Sequence, residues 1–403
     1  MEKKSPTSEF RNKMTVNYRP GRHFLQIPGP TNIPEGVIRA MAQPVVDHRG
    51  PTFPDLTKGI LEKLKPVFNT NSQIFIYPSS GTGGWECALL NVLSPGDKVL
   101  AFETGHFATL WKKIAEQLDL NVLWMPGDWR HGADPSLLEE NLREDSEHEI
   151  KAVLVVHNET STGVTSRIPK LREAIDTVKH PALFMVDTVS SLACSEFRHD
   201  DWGVDVTVSA SQKGLMLPPG LSFNAASEKA LERSKNSKSK HSYWHWDAMM
   251  EDNARGYFPY TPATNLLYGL DEALNLLHAE GMDNVIARHA RLSEATRIAV
   301  AGWGLENLCM NPEEYSNSLT AVMVPEGYDA DALRKIILER FNMSLGTGLG
   351  KLKGVVFRIG HLGDFNELML AGTLSGVEMG LSLANIPHKK GGVTAAMEFL
   401  AVQ

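Results

Sequence analysis

Lys213 stands in Ser211-Gln212-Lys213-Gly214, just after the apolar run Val204 to Ser209 and before Leu215-Met216-Leu217-Pro218-Pro219-Gly220. An apolar setting disfavours the ammonium form and lowers an amine's pKa. The neutral amine is the form that condenses with a carbonyl group, so Lys213 is a candidate to hold a carbonyl-bearing cofactor as a Schiff base. A second run, Ala182 to Val186, ends in Asp187 about one strand-length earlier. Two neighbouring strands then deliver an acid and a lysine to the same edge of a sheet. A carboxylate facing a ring nitrogen keeps it protonated, and the protonated ring is an electron sink that eases removal of an amino acid's α-proton. The plainer alternatives are a turn-capping Asp187 and a surface Lys213.

Four further segments carry usable chemistry. Tyr77-Pro-Ser-Ser80-Gly81-Thr82-Gly83-Gly84-Trp85 is a glycine-rich turn that opens a helix, where bare amides and the helix dipole favour an anion. It lacks the Gly-Lys-Thr/Ser ending of a nucleotide P-loop, so a cofactor phosphate is the expected guest. Phe107 begins the next helix and can stack on a flat ring, or simply fill the core. Thr160, in His157-Asn-Glu-Thr160-Ser-Thr-Gly163, places a hydroxyl at the same sheet edge, suited to a phenolic oxygen; a Thr-rich turn is the bland alternative. Arg358, in Val355-Val-Phe-Arg358-Ile-Gly-His361, is an arginine inside an apolar strand. Its planar fork suits a substrate carboxylate, and a structural ion pair is the alternative. The neighbouring Gly346-Thr-Gly-Leu-Gly350 precedes a strand with no following helix and reads as a flexible loop rather than a dinucleotide site.

The elements that must position these residues follow from the alternation between about Gly83 and Phe223. Strand-like runs at Lys98 to Glu103, Val122 to Met125, Ala152 to His157, Ala182 to Asp187 and Val204 to Ser209 are separated by helical stretches such as Phe107 to Leu118 and Pro135 to Arg143. That spacing predicts an α/β domain with a mainly parallel sheet, which binds ligands beyond its strand C-termini. Two long helices, Asn265 to Ala279 and Met282 to Ala301, read as a bridge. A strand Leu319 to Val324, a helix Asp329 to Arg340, a strand Val355 to Ile359 and a helix Asn366 to Leu383 then predict a small α+β domain. The expected division is an N-terminal arm over 1–30, a large cofactor-binding domain over 31–290 and a small C-terminal domain over 291–403.

Composition narrows the class. The chain has 403 residues, 42% hydrophobic content and a formal net charge of -8, so it can bury a large core and offers no basic face to nucleic acid. No apolar run is long enough to span a membrane, and residues 1–18 read as neither a signal nor a transit peptide. Cys87, Cys194 and Cys309 lie far apart without metal-ligand spacing, so no disulfide framework and no metal site are expected, and a cytoplasmic location fits. The Lys/Ser-rich stretch Leu231 to His241 reads as a solvated helix end and loop.

Taken together, Pro28-Gly29-Pro-Thr-Asn-Ile-Pro34, Asp47-His-Arg49, Ser80 to Glu86, His157 to Thr160, Ser211 to Gly214, Tyr260-Thr261-Pro262 and Phe357 to His361 occur in an order that resembles the class V aminotransferases of fold type I, close to the serine–glyoxylate and alanine–glyoxylate group. The resemblance implies a homodimer that uses pyridoxal 5'-phosphate to move an amino group from serine, aspartate or alanine to glyoxylate, giving glycine and a 2-oxo acid. It assigns Lys213 as the Schiff-base lysine and Asp187 as the pyridine-nitrogen partner. Ser80 to Gly84, Phe107, Thr160, Val189 and Gln212 become cofactor contacts, Arg358, Pro28 and Gly29 substrate contacts, and Tyr260 and Thr261 residues that reach the neighbouring subunit's phosphate. Two departures stand out: Thr188 follows Asp187 where relatives usually have Gly, which is expected to alter the pocket, and the ending Lys390 to Ala396 differs from the usual pattern. The alternatives on the same fold are a cysteine desulfurase or other lyase, which needs a mobile cysteine such as Cys309, and a non-enzymatic cofactor-binding regulator, which needs a DNA-binding module.

Overall fold

The computed structural model describes residues 20–402. Of the expected N-terminal arm, residues 1–19 lie outside the described residues. The central element is a seven-stranded sheet in the order Gln73–Tyr77, Ser222–Ala226, Val206–Ala210, Leu183–Asp187, Ile150–Val156, Lys98–Phe102, Asn121–Met125. The last five run parallel, and Ser222–Ala226 is antiparallel to both of its neighbours. Helices cover its faces, so its strands are buried on both sides and read as near-continuous apolar runs. The large core around it includes Phe75, Leu100, Val153, Phe184, Val208 and Phe223.

A second, five-stranded sheet forms in the C-terminal part, in the order Phe24–Gln26, Met343–Thr347, Val356–Gly360, Leu319–Met323, Glu306–Asn307. Its core, with Trp303, Phe357, Ile359, Leu374 and Leu381, is separate from the first. The helix Met282–Trp303 joins the two: Val285 packs in the large core, and Leu292, Ala299 and Trp303 pack in the small one.

Two features of the second sheet matter for the site. Its first strand comes from the start of the chain, pairing in parallel with Met343–Thr347 and thereby delivering Pro28 and Gly29. Gly346 and Thr347 belong to a strand rather than a flexible loop, because Gly346 pairs with Arg358 and leaves room for its neighbours. A Cβ there would lie 2.7 Å from Pro28 Cδ and 2.9 Å from Arg358 Cβ.

Gly360 is under the same constraint, since an added Cβ would fall 2.2 Å from the Ile27 carbonyl oxygen, which is backbone and cannot swing aside. Gly360→Ala is therefore expected to destabilise the fold by about 1–3 kcal/mol, read as a lower midpoint in urea unfolding.

Candidate active site

The C-terminal ends of the parallel strands open onto a cavity of about 260 Å³ lined by residues that include Ser80, Gly81, Thr82, Phe107, Thr160, Asp187, Val189, Gln212 and Lys213. With Gly29, ten residues expected from the sequence thus meet in one place. The strand Leu183–Asp187 ends in the acid, and Asp187 pairs with Val208 of the next strand, which runs on into Ser211, Gln212 and Lys213.

Lys213 is 7% exposed, so it is no surface residue. Its Nζ donates to the carbonyl oxygen of Pro28, and Thr31 binds over it through its amide to the Gln212 carbonyl (3.2 Å) and its hydroxyl to the Lys213 carbonyl (3.2 Å). Gly29, with φ +88°, permits that approach: a Cβ would lie 2.4 Å from Lys213 Cδ. Burial, reinforced by the positive charge of Arg358, pulls the Lys213 amine down to about 7. Asp187 is equally enclosed. Burial pushes its carboxyl up to about 7, against the pull of the Val189 amide, which donates to it at 2.6 Å. Among the described residues no cation lies within salt-bridge distance of Asp187, so it is an acid without a protein counter-ion.

The helix Gly81–Val92 begins with Ser80, whose side chain caps nothing. Its first amides have no intrahelical partner and open on the cavity. Gly81 sits against Val189, where a Cβ would meet Cγ2 at 2.7 Å. Gly83 and Gly84 do not line the cavity. They let the helix pack on Ser79, Trp244, Val208 and Ser222. Thr160 gives its hydroxyl to Ser190 Oγ at 2.8 Å.

Arg358 alternates with Phe357 and Ile359 along its strand, so with those two in the small core it faces the large domain. It is 6% exposed, its Nε donates to the Thr347 carbonyl (2.8 Å), its Nη1 to the Thr160 carbonyl (2.6 Å), and no acid lies within salt-bridge distance of it among the described residues. The structural ion pair is absent. Burial lowers its pKa to about 10, which leaves it charged at neutral pH; it bonds to the carbonyl of the cavity-lining Thr160 without itself lining the cavity.

Two expectations, at Thr188 and Cys309, fare differently. Thr188 is fully buried, but its hydroxyl and amide both donate to the Val208 carbonyl, at 3.1 and 2.7 Å, and it does not line the cavity. The extra side chain bonds to the sheet instead of opening on the cavity. Tyr260 stacks on Tyr243 with centroids 4.2 Å apart and Thr261 is exposed; neither lines this chain's own cavity, as an expectation directed at a second copy's phosphate allows. Cys309 is buried with its thiol pushed up to about 12 by burial, which is the opposite of a mobile nucleophile. The sequence reading also missed Trp85, Pro30 and Pro219 as lining residues; Trp85 stood inside the glycine-rich motif, but nothing in its type or spacing marked it.

The model of the class-V aminotransferase family matches residues 23–352. The chain belongs to the class-V aminotransferases. A serine–glyoxylate aminotransferase of Arabidopsis thaliana is 50% identical over 390 residues, covering 96% of this chain and 97% of its own. An L-aspartate–glyoxylate aminotransferase of Paracoccus denitrificans is 44% identical over 374 residues, covering 92% and 94%. Among solved structures, a pyridoxamine–pyruvate aminotransferase from Mesorhizobium loti superposes with a TM-score of 0.89 at 26% identity, over 95% of this chain and 99% of that one. This aminotransferase is thus a pyridoxal-phosphate enzyme of fold type I. Its residues fit the cofactor: an uncapped helix N-terminus for the phosphate, a buried amine for the aldehyde, an unpaired buried acid for the ring nitrogen, and a Gln212 Oε1 left without a protein partner. Among the described residues there is no helix long and apolar enough to cross a membrane and no cluster of metal-ligating side chains.

Two outcomes follow from this geometry. A Lys213 amine with a pKa brought down to about 7 is protonated below that pH and neutral above it. The rate at which cofactor-free aminotransferase condenses with pyridoxal phosphate should rise about tenfold per pH unit up to pH 7 and then level off, followed by stopped-flow absorbance. Thr188→Gly should lower stability by about 1–3 kcal/mol while leaving the ranking of amino donors by kcat/KM unchanged.

Proposed function

We propose that this aminotransferase transfers the amino group of a small amino acid, serine in preference to aspartate or alanine, to glyoxylate, giving glycine and a 2-oxo acid. The observation that carries the chemistry is the enclosure of a lysine brought down to about 7 between a counter-ion-free aspartate and a counter-ion-free arginine. The choice of glyoxylate, and of serine first, is supported by the names of relatives 44–50% identical over nearly the whole chain.

Bound pyridoxal phosphate would supply the electron sink for loss of the donor's α-proton. Lys213 Nζ, neutral above its lowered pKa, takes that proton and later returns one, acting as base and then as acid. Arg358 presents its guanidinium to the donor's carboxylate and then to that of glyoxylate, which fixes which bond at Cα is aligned for cleavage. The Pro28-Gly29-Pro30 segment closes over Lys213 and keeps water from its amine. Asp187, buried with no cation within salt-bridge distance among the described residues, presents its carboxylate to the ring nitrogen.

The same reading includes a homodimer as the active unit, with Tyr260 and the exposed Thr261 directed to the phosphate of a second copy. A cytoplasmic location fits three free, buried thiols.

Glycine formation from glyoxylate with a panel of amino donors tests the assignment. Serine is expected to give the highest kcat/KM, and no glycine from any donor overturns it. Lys213→Ala should abolish turnover, and Arg358→Ala should raise the donor's KM about ten- to a hundredfold, the cost of one charge-assisted contact.

A further inference from the structure

Glu159 carries a burden that its position next to Thr160 does not reveal. It is fully buried, and its carboxylate has no cation within salt-bridge distance among the described residues. Its counter-charge is instead the N-terminus of the helix His106–Gln117. The amides of Phe107 (3.1 Å) and Ala108 (3.0 Å) donate to Oε2, and the amide and hydroxyl of Ser161 donate to Oε1 at 3.0 and 2.7 Å. Ser161 Oγ accepts the His106 amide at 2.9 Å, so the first three amides of the helix are all occupied. The helix offers no cap of its own, because its N-cap is Gly105, and a Cβ there would lie 2.3 Å from Glu159 Cγ.

One residue on, the same strand of chain does two other things. The Thr160 carbonyl accepts from Arg358 Nη1, and the Thr160 hydroxyl donates to Ser190 Oγ, three residues after Asp187. A single dipeptide, at the end of a short strand, therefore ties the ring-stacking Phe107, the carboxylate-binding Arg358 and the segment that follows the ring-nitrogen acid. Side-chain hydrogen bonds from Glu159 fix where that dipeptide sits.

We propose that Glu159 is a positioning residue that couples the cofactor's stacking face to the substrate's carboxylate anchor, by clamping the helix of Phe107 to the segment that holds Arg358. It also fills the second helix N-terminus at this sheet edge, so that the uncapped start of Gly81–Val92 is the amide site left open to phosphate. The proposal rests on the aminotransferase reading above but not on the choice of donor or acceptor.

The test is Glu159→Gln in the full chain, which keeps the shape and removes the charge and one strong acceptor. The affinity of the cofactor-free protein for pyridoxal phosphate, read by quenching of tryptophan fluorescence, should weaken about tenfold. The KM of whichever amino donor the wild type accepts should rise by a similar factor. The distinguishing measurement is a pair of double variants. In a Phe107→Ala background, Glu159→Gln should no longer weaken cofactor binding further, yet should still raise the donor's KM. In an Arg358→Ala background the pattern should reverse. A purely structural role predicts a lower melting temperature with cofactor affinity and KM of the folded protein unchanged, and that result, or full additivity in both backgrounds, overturns the proposal. If Glu159→Gln does not fold, Ser161→Ala removes one of the glutamate's donors and the acceptor for His106, and the same two readings must move in the same directions. Cofactor affinity is measured whatever the substrates prove to be, so a failed glyoxylate assay leaves this test intact.

Discussion

Three ionisable side chains, Lys213, Asp187 and Arg358, are more than nine-tenths buried with no counter-ion of their own, and the rest of the structure is arranged around that debt. A buried charge without a partner costs several kcal/mol, and a protein normally avoids the cost by pairing it or by shifting its pKa. Here burial shifts all three toward neutrality, and Arg358, which stays charged at neutral pH, is held by main-chain carbonyls. None of these arrangements is a good solution in the protein alone. Each becomes one when a ligand brings an aldehyde, a ring nitrogen and a carboxylate to the same place, so the instability of the site is the source of its affinity.

Backbone groups perform much of the positioning. The carbonyls of Pro28, Thr160 and Thr347 hold Lys213 and Arg358, and the amide of Val189 holds Asp187. Backbone groups are fixed by the sheets behind them, so they present charge without the entropy of a mobile side chain. Glycines make the approach possible where two chains must nearly touch, at Gly29 above the lysine and Gly346 beside the arginine.

The parallel sheet is legible in the sequence because its strands are buried on both faces: the five apolar runs from Lys98 to Ser209 coincide with strands to within two residues or so. Ser222–Ala226 carries an asparagine and two alanines, so no apolar run marks it, and its antiparallel pairing is set by tertiary packing. Phe24–Gln26 is too short to register. Gly346 looks like a loop residue because its reason for being glycine, room for Pro28 and Arg358, lies over three hundred residues away in one case. At the site, Lys213, Asp187, Thr160 and Phe107 are readable because strand ends and helix starts place them by rule. Trp85 and Glu159 are not, since their roles arise from what folds against them. Tyr260 and Thr261 were implied by resemblance alone, and the geometry of one chain gives them no place in its cavity. Thr188 misleads for the converse reason: its sequence position is beside the acid, but strand geometry turns its hydroxyl to a neighbouring carbonyl.

The pairing of Phe24–Gln26 with Met343–Thr347 has a consequence in time as well as in space. The segment that covers Lys213 precedes the lysine in the chain, yet the strand that fixes it follows the lysine by more than a hundred residues. A nascent chain can complete its large sheet and core long before the lysine is roofed over, since contacts this distant in sequence form late. Until then the amine stands open to solvent and to any aldehyde in it. The enzyme's most reactive group is thus sheltered only once the strand Met343–Thr347 has been made.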